Sequence, residues 1–303
     1  MKLFELTAED YAAIYPRFCT VFDTPAFALL NAGKTTTVKF LSFTDNNNKP
    51  KFGLMIGSDG SSAIAPFSAP FAAIALPAGT KEPYTATIAE GLALLHTLYA
   101  DIRITPPPGI YGSLPDKLTC ALFAAGYKAD YCNINHYYNL DLFDQYAANL
   151  DKCRRNRLNV SLRQGYDLCQ CDIARAYEVI RLNRESHGYP LRMSLPQLID
   201  TITNCVSADC FVLTNGSDDA ASAIVYHTTN NVVQVIYWGD KPDNGCRYAM
   251  NLLAYRLFEH YAQTDIRIVD IGPSAENGIL SPGLAEFKEN IGCFATQKFS
   301  FIN

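Results

Sequence analysis

The chain has 303 residues, 49% of them hydrophobic and 18% charged, with a net charge of −5 at pH 7. That length holds two separate cores, and the composition is too apolar for a disordered chain. The mild negative charge argues against a surface that binds nucleic acid all over, while leaving room for a local basic patch.

No apolar run at the start is long enough for a signal peptide, and none anywhere is long enough for a bilayer span. The expected compartment is therefore the cytoplasm. The ten cysteines are scattered, and neither Cys169 with Cys171 nor Cys205 with Cys210 has a partner pair or histidines at zinc spacing. They read as reduced, mostly buried small apolar residues, and no metal is expected.

In chain order, Thr7 caps a helix with Asp10 at its third position, and a second short helix follows Asp23. Three strands come next: Thr36 to Thr44, Lys51 to Ser58 and Ser61 to Phe67. The Asn46-Asn47-Asn48 turn and the Asp59-Gly60 hairpin signal separate them. A helix from around Thr87 carries the stripe Ile88, Leu92, Leu95 and Tyr99. A strand over Asp101 to Thr105 stops at Pro106-Pro107-Pro108. A helix over Asp116 to Ala125 stops at Gly126, and a strand over Tyr127 to Leu140 ends this half.

The second half begins near Asp151. A basic segment, Lys152 to Arg163, leads to a strand over Tyr166 to Cys171. Asp172 caps a helix to Ser186, and Ser194 with Gln197 forms a capping box for another, ending near Cys205. Strands follow over Cys210 to Thr214, Ala221 to Thr228 and Asn231 to Trp238. A long helix from about Gly245 to Ala262 carries Met250, Leu253, Leu257 and Tyr261 on one stripe. Ile266 to Ile271 is a strand, Ser281 caps a helix with Pro282 first, and Cys293 to Phe301 is the last strand.

Both halves read helix, helix, three strands, helix, strand, helix, strand, and an extra leading strand is predicted for the second alone. The repeat is one of architecture, not of letters. It predicts a mixed α/β protein of two domains, residues 1–150 and 151–303, each a mixed central sheet flanked by helices.

That order resembles the GNAT acyltransferase topology, and the letters narrow it. Ile268-Val269-Asp270-Ile271-Gly272-Pro273-Ser274, followed by Gly283 to Gly292 with Phe287-Lys288, is similar to the closing signature of FemAB-like tandem acyltransferases. Pro107-Pro108-Gly109-Ile110-Tyr111, Arg154-Arg155-Asn156-Arg157 and Arg184-Glu185-Ser186-His187-Gly188-Tyr189-Pro190-Leu191 resemble the same group, so the likeness covers nearly the whole chain. It implies two tandem GNAT-like domains and transfer of an acetyl or aminoacyl group from a donor to a small-molecule or peptide amine acceptor. The donor implied is acyl-CoA, such as acetyl-CoA, or an aminoacyl-tRNA. A GNAT-fold binding protein without catalysis is the alternative. Net acidity and a single dense basic stretch, Lys152, Arg154, Arg155, Arg157 and Arg163, favour coenzyme A over a folded RNA. That stretch also suits a solvated connector helix.

Classical members of the superfamily carry Arg/Gln-x-x-Gly-x-Gly/Ala before the long helix, and here the stretch is Gly239-Asp240-Lys241-Pro242-Asp243-Asn244-Gly245-Cys246-Arg247. A loop opening onto a helix offers amides and partial positive charge to a phosphate. Gly239, Lys241, Gly245 and Arg247 are therefore donor-binding candidates, against an ordinary polar turn. Tyr237 and Trp238 end the preceding strand, where the fold implies a splayed gap for the acyl group. Core packing is the competing role. Amide formation needs a base and an oxyanion donor, and Glu185, His187, Asp270 and Lys288 are the catalytic candidates, against caps and surface polar groups. The cleft is expected in the second half. The first half's slot is expected filled or shallow, because Phe67-Ser68-Ala69-Pro70-Phe71 offers few free amides. Gly33-Lys34-Thr35 lacks the first glycine and the helix of a phosphate loop.

Overall fold

The structure, a computed structural model, describes residues 1–303. The first half of the chain runs β1 (Lys2–Leu6), α1 (Ala8–Ile14), α2 (Pro25–Leu30), β2 (Thr37–Thr44), β3 (Pro50–Ser58), β4 (Ser62–Ala65), α3 (Thr85–Ala93), β5 (Asp101–Ile104), α4 (Ser113–Ala124) and β6 (Lys128–Asn139). Two connecting helices follow, α5 (Tyr146–Asn149) and α6 (Lys152–Leu162). The second half runs β7 (Asp167–Gln170), α7 (Ile173–His187), α8 (Leu195–Asn204), β8 (Ala208–Thr214), β9 (Asp219–His227), β10 (Val232–Asp240), α9 (Ala249–Tyr261) and β11 (Ile268–Pro273). A small hairpin, β12 (Ala275–Glu276) and β13 (Ile279–Leu280), precedes α10 (Pro282–Asn290) and β14 (Phe294–Ile302).

The caps read from sequence place several of these starts. Thr7 accepts from the Asp10 amide at 3.1 Å, and Ser194 and Gln197 form the reciprocal box on α8. Pro282 opens α10 after Ser281, although the Ser281 side chain makes no cap bond. The stripe Ile88, Leu92, Leu95 and Tyr99 is buried as expected, the last two beyond the end of α3.

Three elements differ from the sequence expectation. The first half also opens with a strand: β1 pairs antiparallel with β2 just as β7 pairs with β8, so both halves have the same ten-element order. Only Cys210, Cys246 and Cys293 among the ten cysteines are buried. And α9 begins at Ala249 rather than near Gly245, because Tyr248 adopts left-handed backbone at φ 63° and keeps the preceding residues out of the helix.

Two compact units emerge: Met1–Ile134 with Ala275–Ile279 and Thr296–Asn303, and Asn135–Ser274 with Leu280–Ala295. Their bounds depart from 1–150 and 151–303 because the halves exchange closing strands. The end of β14 pairs antiparallel with β5, Phe301 opposite Ile104, in the first unit. The end of β6 pairs antiparallel with β11, Tyr138 opposite Val269, in the second. Otherwise the sheets correspond: β1-β2-β3-β4-β5 in one, β7-β8-β9-β10-β11 in the other, each antiparallel except for the last, parallel pair.

Each unit has its own apolar core. In the second, α9 buries Leu252, Leu253, Leu257 and Phe258 with Val225, Val233 and Val269 of the sheet. In the first, Leu92, Leu118 and Leu122 pack with Phe43, Phe52 and Phe301. Each fully buried Leu or Phe contributes roughly 1.5–3 kcal/mol.

Candidate active site

The site grows from the parallel pair at the middle of the second unit's sheet. β10 and β11 are in register for three residues only, Val232–Ile268, Val233–Val269 and Gln234–Asp270. Beyond that point β10 continues to Asp240 on its other neighbour, β9. β11 bulges between Asp270 and Gly272 and follows β6 instead. The bulge needs left-handed backbone, and glycine supplies it at φ 77°. The two strands therefore fork, with Val235–Trp238 on one side and Gly272–Ser274 on the other.

Polar side chains hold the fork where a sheet core would ordinarily be apolar. Asp270 is fully buried. It accepts from Asn135 Nδ2 at 2.8 Å, Gln234 Nε2 at 2.8 Å and the Gly272 amide at 2.9 Å. One carboxylate thus fixes three backbone segments, and its oxygens are committed to that task. Lys288 reaches in from α10 and donates to the carbonyls of Ile271, Gly272 and Pro273 at 3.1, 2.9 and 2.9 Å. Burial holds its ammonium down to about 8, offset in part by the Cys293 and Asp270 charges.

His136, on β6, is also fully buried and bonds Ser274 Oγ through Nδ1 at 3.0 Å. Its Nε2 has no hydrogen-bond partner, the Glu289 carboxylate standing 3.7 Å away. Burial, then the Lys288 charge, pushes the imidazole below its ordinary value. Trp238 meets Phe287 of α10 edge to face at 5.9 Å between ring centroids. This contact and Lys288 bring α10 against the fork.

The edge of β10 is tied to α7. A Cβ on Gly239 would stand 2.6 Å from Asn183 Cγ, so only glycine lets α7 approach so closely. Asn183 Nδ2 in turn donates to the Asp240 carbonyl at 2.8 Å. Tyr237 Oη accepts from the Met193 amide at 3.2 Å, which fastens the α7–α8 loop to β10. Burial raises the Tyr237 phenol.

Of the ten candidates from sequence, Asp270, Lys288, Tyr237, Trp238 and Gly239 fall on or beside the fork. Glu185 and His187 lie on the last turn of α7 rather than on a loop. Glu185 is exposed and paired with Arg181, and His187 bonds the Asn183 carbonyl at 2.8 Å through Nδ1. The donor-loop candidates have internal partners. Lys241 is paired with Asp218, which also accepts from the Gly245 amide at 3.2 Å. The Cys246 amide goes to Asn244 at 3.0 Å and the Arg247 amide to Gln164 at 2.8 Å. The Arg247 guanidinium lies over Tyr248 at 5.0 Å, and Arg157 lies over the same ring at 5.6 Å. Missed from sequence were Asn135, His136, Gln234 and Ser274. For Asn135, His136 and Gln234 the signal was polarity inside strands otherwise made for a core, as in Val-Val-Gln234-Val-Ile, whereas Ser274 lies just past the end of β11.

No protein-family model matches the sequence, and no curated protein does. Solved structures are similar across its whole length. FemX superposes with a TM-score of 0.65 at 11% identity, over 100% of this chain and 97% of its own. The C-terminal domain of a putative lysylphosphatidylglycerol synthetase from Agrobacterium fabrum gives 0.61 at 13%, over 98% and 92%. A tandem GNAT protein from the clavulanic acid biosynthesis pathway gives 0.51 at 12%, over 100% and 98%. The fold is that of FemAB-like, GNAT-type acyltransferases. No group of three or more His, Cys, Asp or Glu residues is placed to hold a metal ion, and no helix is long and apolar enough to cross a membrane.

Proposed function

We propose that this protein transfers an acyl group from an activated ester or thioester to an amine, with the acyl carbonyl seated in the fork between β10 and β11. The observation that carries the reading is the fork itself, held open by Asp270 and Lys288 in an otherwise apolar sheet. β10 past Gln234 has lost its β11 partner, so its backbone on that side is available to an acyl amide or carbonyl, and backbone N–H groups suit a tetrahedral oxyanion.

Asp270 and Lys288 act here as positioning residues. The carboxylate ties Asn135 and Gln234 to the bulge at Gly272, the ammonium holds three carbonyls of the bulged strand, and together they fix where the gap opens. His136, with Nε2 unbonded, is the group suited to relay a proton from the acceptor amine before it attacks. Trp238, against Phe287, walls the slot.

For the donor, the occupied amides of Gly245, Cys246 and Arg247 weigh against a pyrophosphate gripped by that loop. An aminoacyl-tRNA fits better than the coenzyme A thioester favoured by net charge. The basic residues of α6, with Arg157 and Arg247 bracketing Tyr248 at the start of α9, supply a local cationic face. The acceptor is an amine on a small molecule or peptide.

The test is consumption of acetyl-CoA and of a set of aminoacyl-tRNAs by the wild-type protein with a panel of small and peptide amines, at two salt concentrations. Salt-sensitive deacylation of tRNA with acylated amine as product is expected. Amine-independent behaviour with both donors would refute acyl transfer, and turnover with acetyl-CoA alone would refute the tRNA donor.

A further inference from the structure

The first unit contains the same fork. β4 and β5 run parallel in register from Ser62–Asp101 to Ala65–Ile104, and past that point the Thr105 amide donates to the Ala65 carbonyl at 2.8 Å while the Thr105 carbonyl accepts from the Ala72 amide at 2.9 Å. From sequence this slot is expected filled or shallow. A cavity of about 200 Å³, open to solvent, lies beside the end of this pair.

The polar side chains lining this cavity are those of Arg103, Thr105, Tyr131, Asn133 and Lys298. Arg103 and Lys298 both line it, and no carboxylate does. Arg103 Nη1 is held by Asp130 at 2.6 Å and Ser300 at 3.2 Å, with the guanidinium over the Tyr131 ring at 5.8 Å. Those contacts fix the guanidinium and leave the N–H groups of Nε and Nη2 to a ligand. Asn133 accepts from the Gly278 amide at 2.9 Å through Oδ1, which sets its orientation and leaves Nδ2 without a protein partner. Pro66 and Pro70 supply an apolar wall.

We propose that the β4–β5 fork is a binding site for an oxyanion, a carboxylate or phosphate carried on a small ligand. The open edge of a fixed guanidinium matches two oxygens of either group, Asn133 Nδ2 donates a further hydrogen bond, and Lys298 adds positive charge at the wall. The apolar wall and the room beside the donors accommodate an uncharged remainder. This site stands independently of acyl transfer at the β10–β11 fork.

Calorimetric titration of the full chain with inorganic phosphate and, separately, acetate, at constant ionic strength against a chloride control, tests it. Saturable binding of at least one anion in the millimolar range or tighter is expected, and the one that binds names the source of the oxyanion. Asn133→Asp keeps the acceptor for Gly278 but places a negative charge in the lining. It should weaken binding about tenfold or more, as should Arg103→Gln. Thermal melts show whether each variant is folded. In the wild type, addition of the anion should shift the NMR signals of Arg103 Nε–H and the Asn133 side-chain amide, a readout that no folding defect can mimic. Absence of saturable binding by the wild type, unchanged affinity in a folded Asn133→Asp, or shifts confined to other residues would overturn the proposal.

Discussion

The two units make the same fork in a parallel strand pair and furnish it differently. In the first, the last paired residues are Ala65 and Ile104, and the chain leaves through Pro66 into a loop. In the second they are Gln234 and Asp270, and β10 runs on to Asp240. Exchanging two apolar residues for an amide and a carboxylate turns the floor of the fork into a hydrogen-bonded frame. Lys288 then extends that frame along the bulged strand. The backbone topology thus provides a gap twice, and side chains at one register position decide what kind of gap it is.

The largest effect should come from removing the frame. Asp270→Ala leaves Asn135, Gln234 and the Gly272 amide without their buried acceptor, at on the order of 3 kcal/mol. Denaturant melts should show that loss, with acyl transfer abolished. A variant as stable as the wild type would mean that the second fork needs no frame and that the contrast with the first is incidental.

Lys288→Met should lower acyl transfer about 100-fold, as expected for loss of a group that sets reactive geometry, while costing little stability. Its ammonium, held down to about 8, is harder to protonate in the folded chain than in the unfolded one. The charge therefore weighs against folding below pH 8, and that cost fades as pH rises from about 8 toward the ordinary lysine value. Chemical denaturation at several pH values should find the Met variant gaining on the wild type most below pH 8. Activity of the wild type should fall as pH rises through about 8, and a pH profile without that limb would remove Lys288 from the frame.

A smaller change is expected at the loop before α9. Asp218→Ala releases Lys241 and the Gly245 amide together. Coenzyme A affinity, read by calorimetry, should rise about fivefold, near the worth of one hydrogen bond. No gain would show that Asp218 is not what withholds this loop from phosphate.

The smallest effect belongs outside either fork. The Asp209 side chain bonds His227 Nε2 at 2.7 Å and Tyr261 Oη at 2.8 Å. The bond to Asp209 raises the imidazole, and the bond to His227 lowers the carboxyl. The carboxylate's share of the stability is lost as pH falls through its lowered value. The imidazolium's share is lost as pH rises through its raised value. His227→Gln should cost under about 1 kcal/mol, seen between those limits and fading as pH rises through the raised imidazole value.

Much of this was legible in the letters. The caps at Thr7 and Ser194, the stripe on α3 and the repeated element order follow from local hydrogen bonding and periodicity, and they placed the fold. The short strand β1 was not seen, since five residues of Lys-Leu-Phe-Glu-Leu carry too little alternation to separate strand from loop. Asp270 and Lys288 were found through their motif. His136 and Gln234 were not, because their role depends on β6 and β10 lying beside β11, a pairing across many residues that no local pattern encodes. The loop before α9 looked open to phosphate for the same reason: Gln164 and Asp218, which occupy its amides, are distant in sequence.

The central claim, that acyl transfer belongs to the β10–β11 fork, is most directly tested by hydrogen–deuterium exchange of the wild-type protein with and without a saturating non-hydrolysable aminoacyl-tRNA analogue. Slowed exchange over Val235–Asp240 and Ile271–Ser274 is the predicted result. Slowed exchange over Pro66–Ala73 and Arg103–Thr105, with Val235–Asp240 unchanged, would place the donor in the first unit and contradict the account.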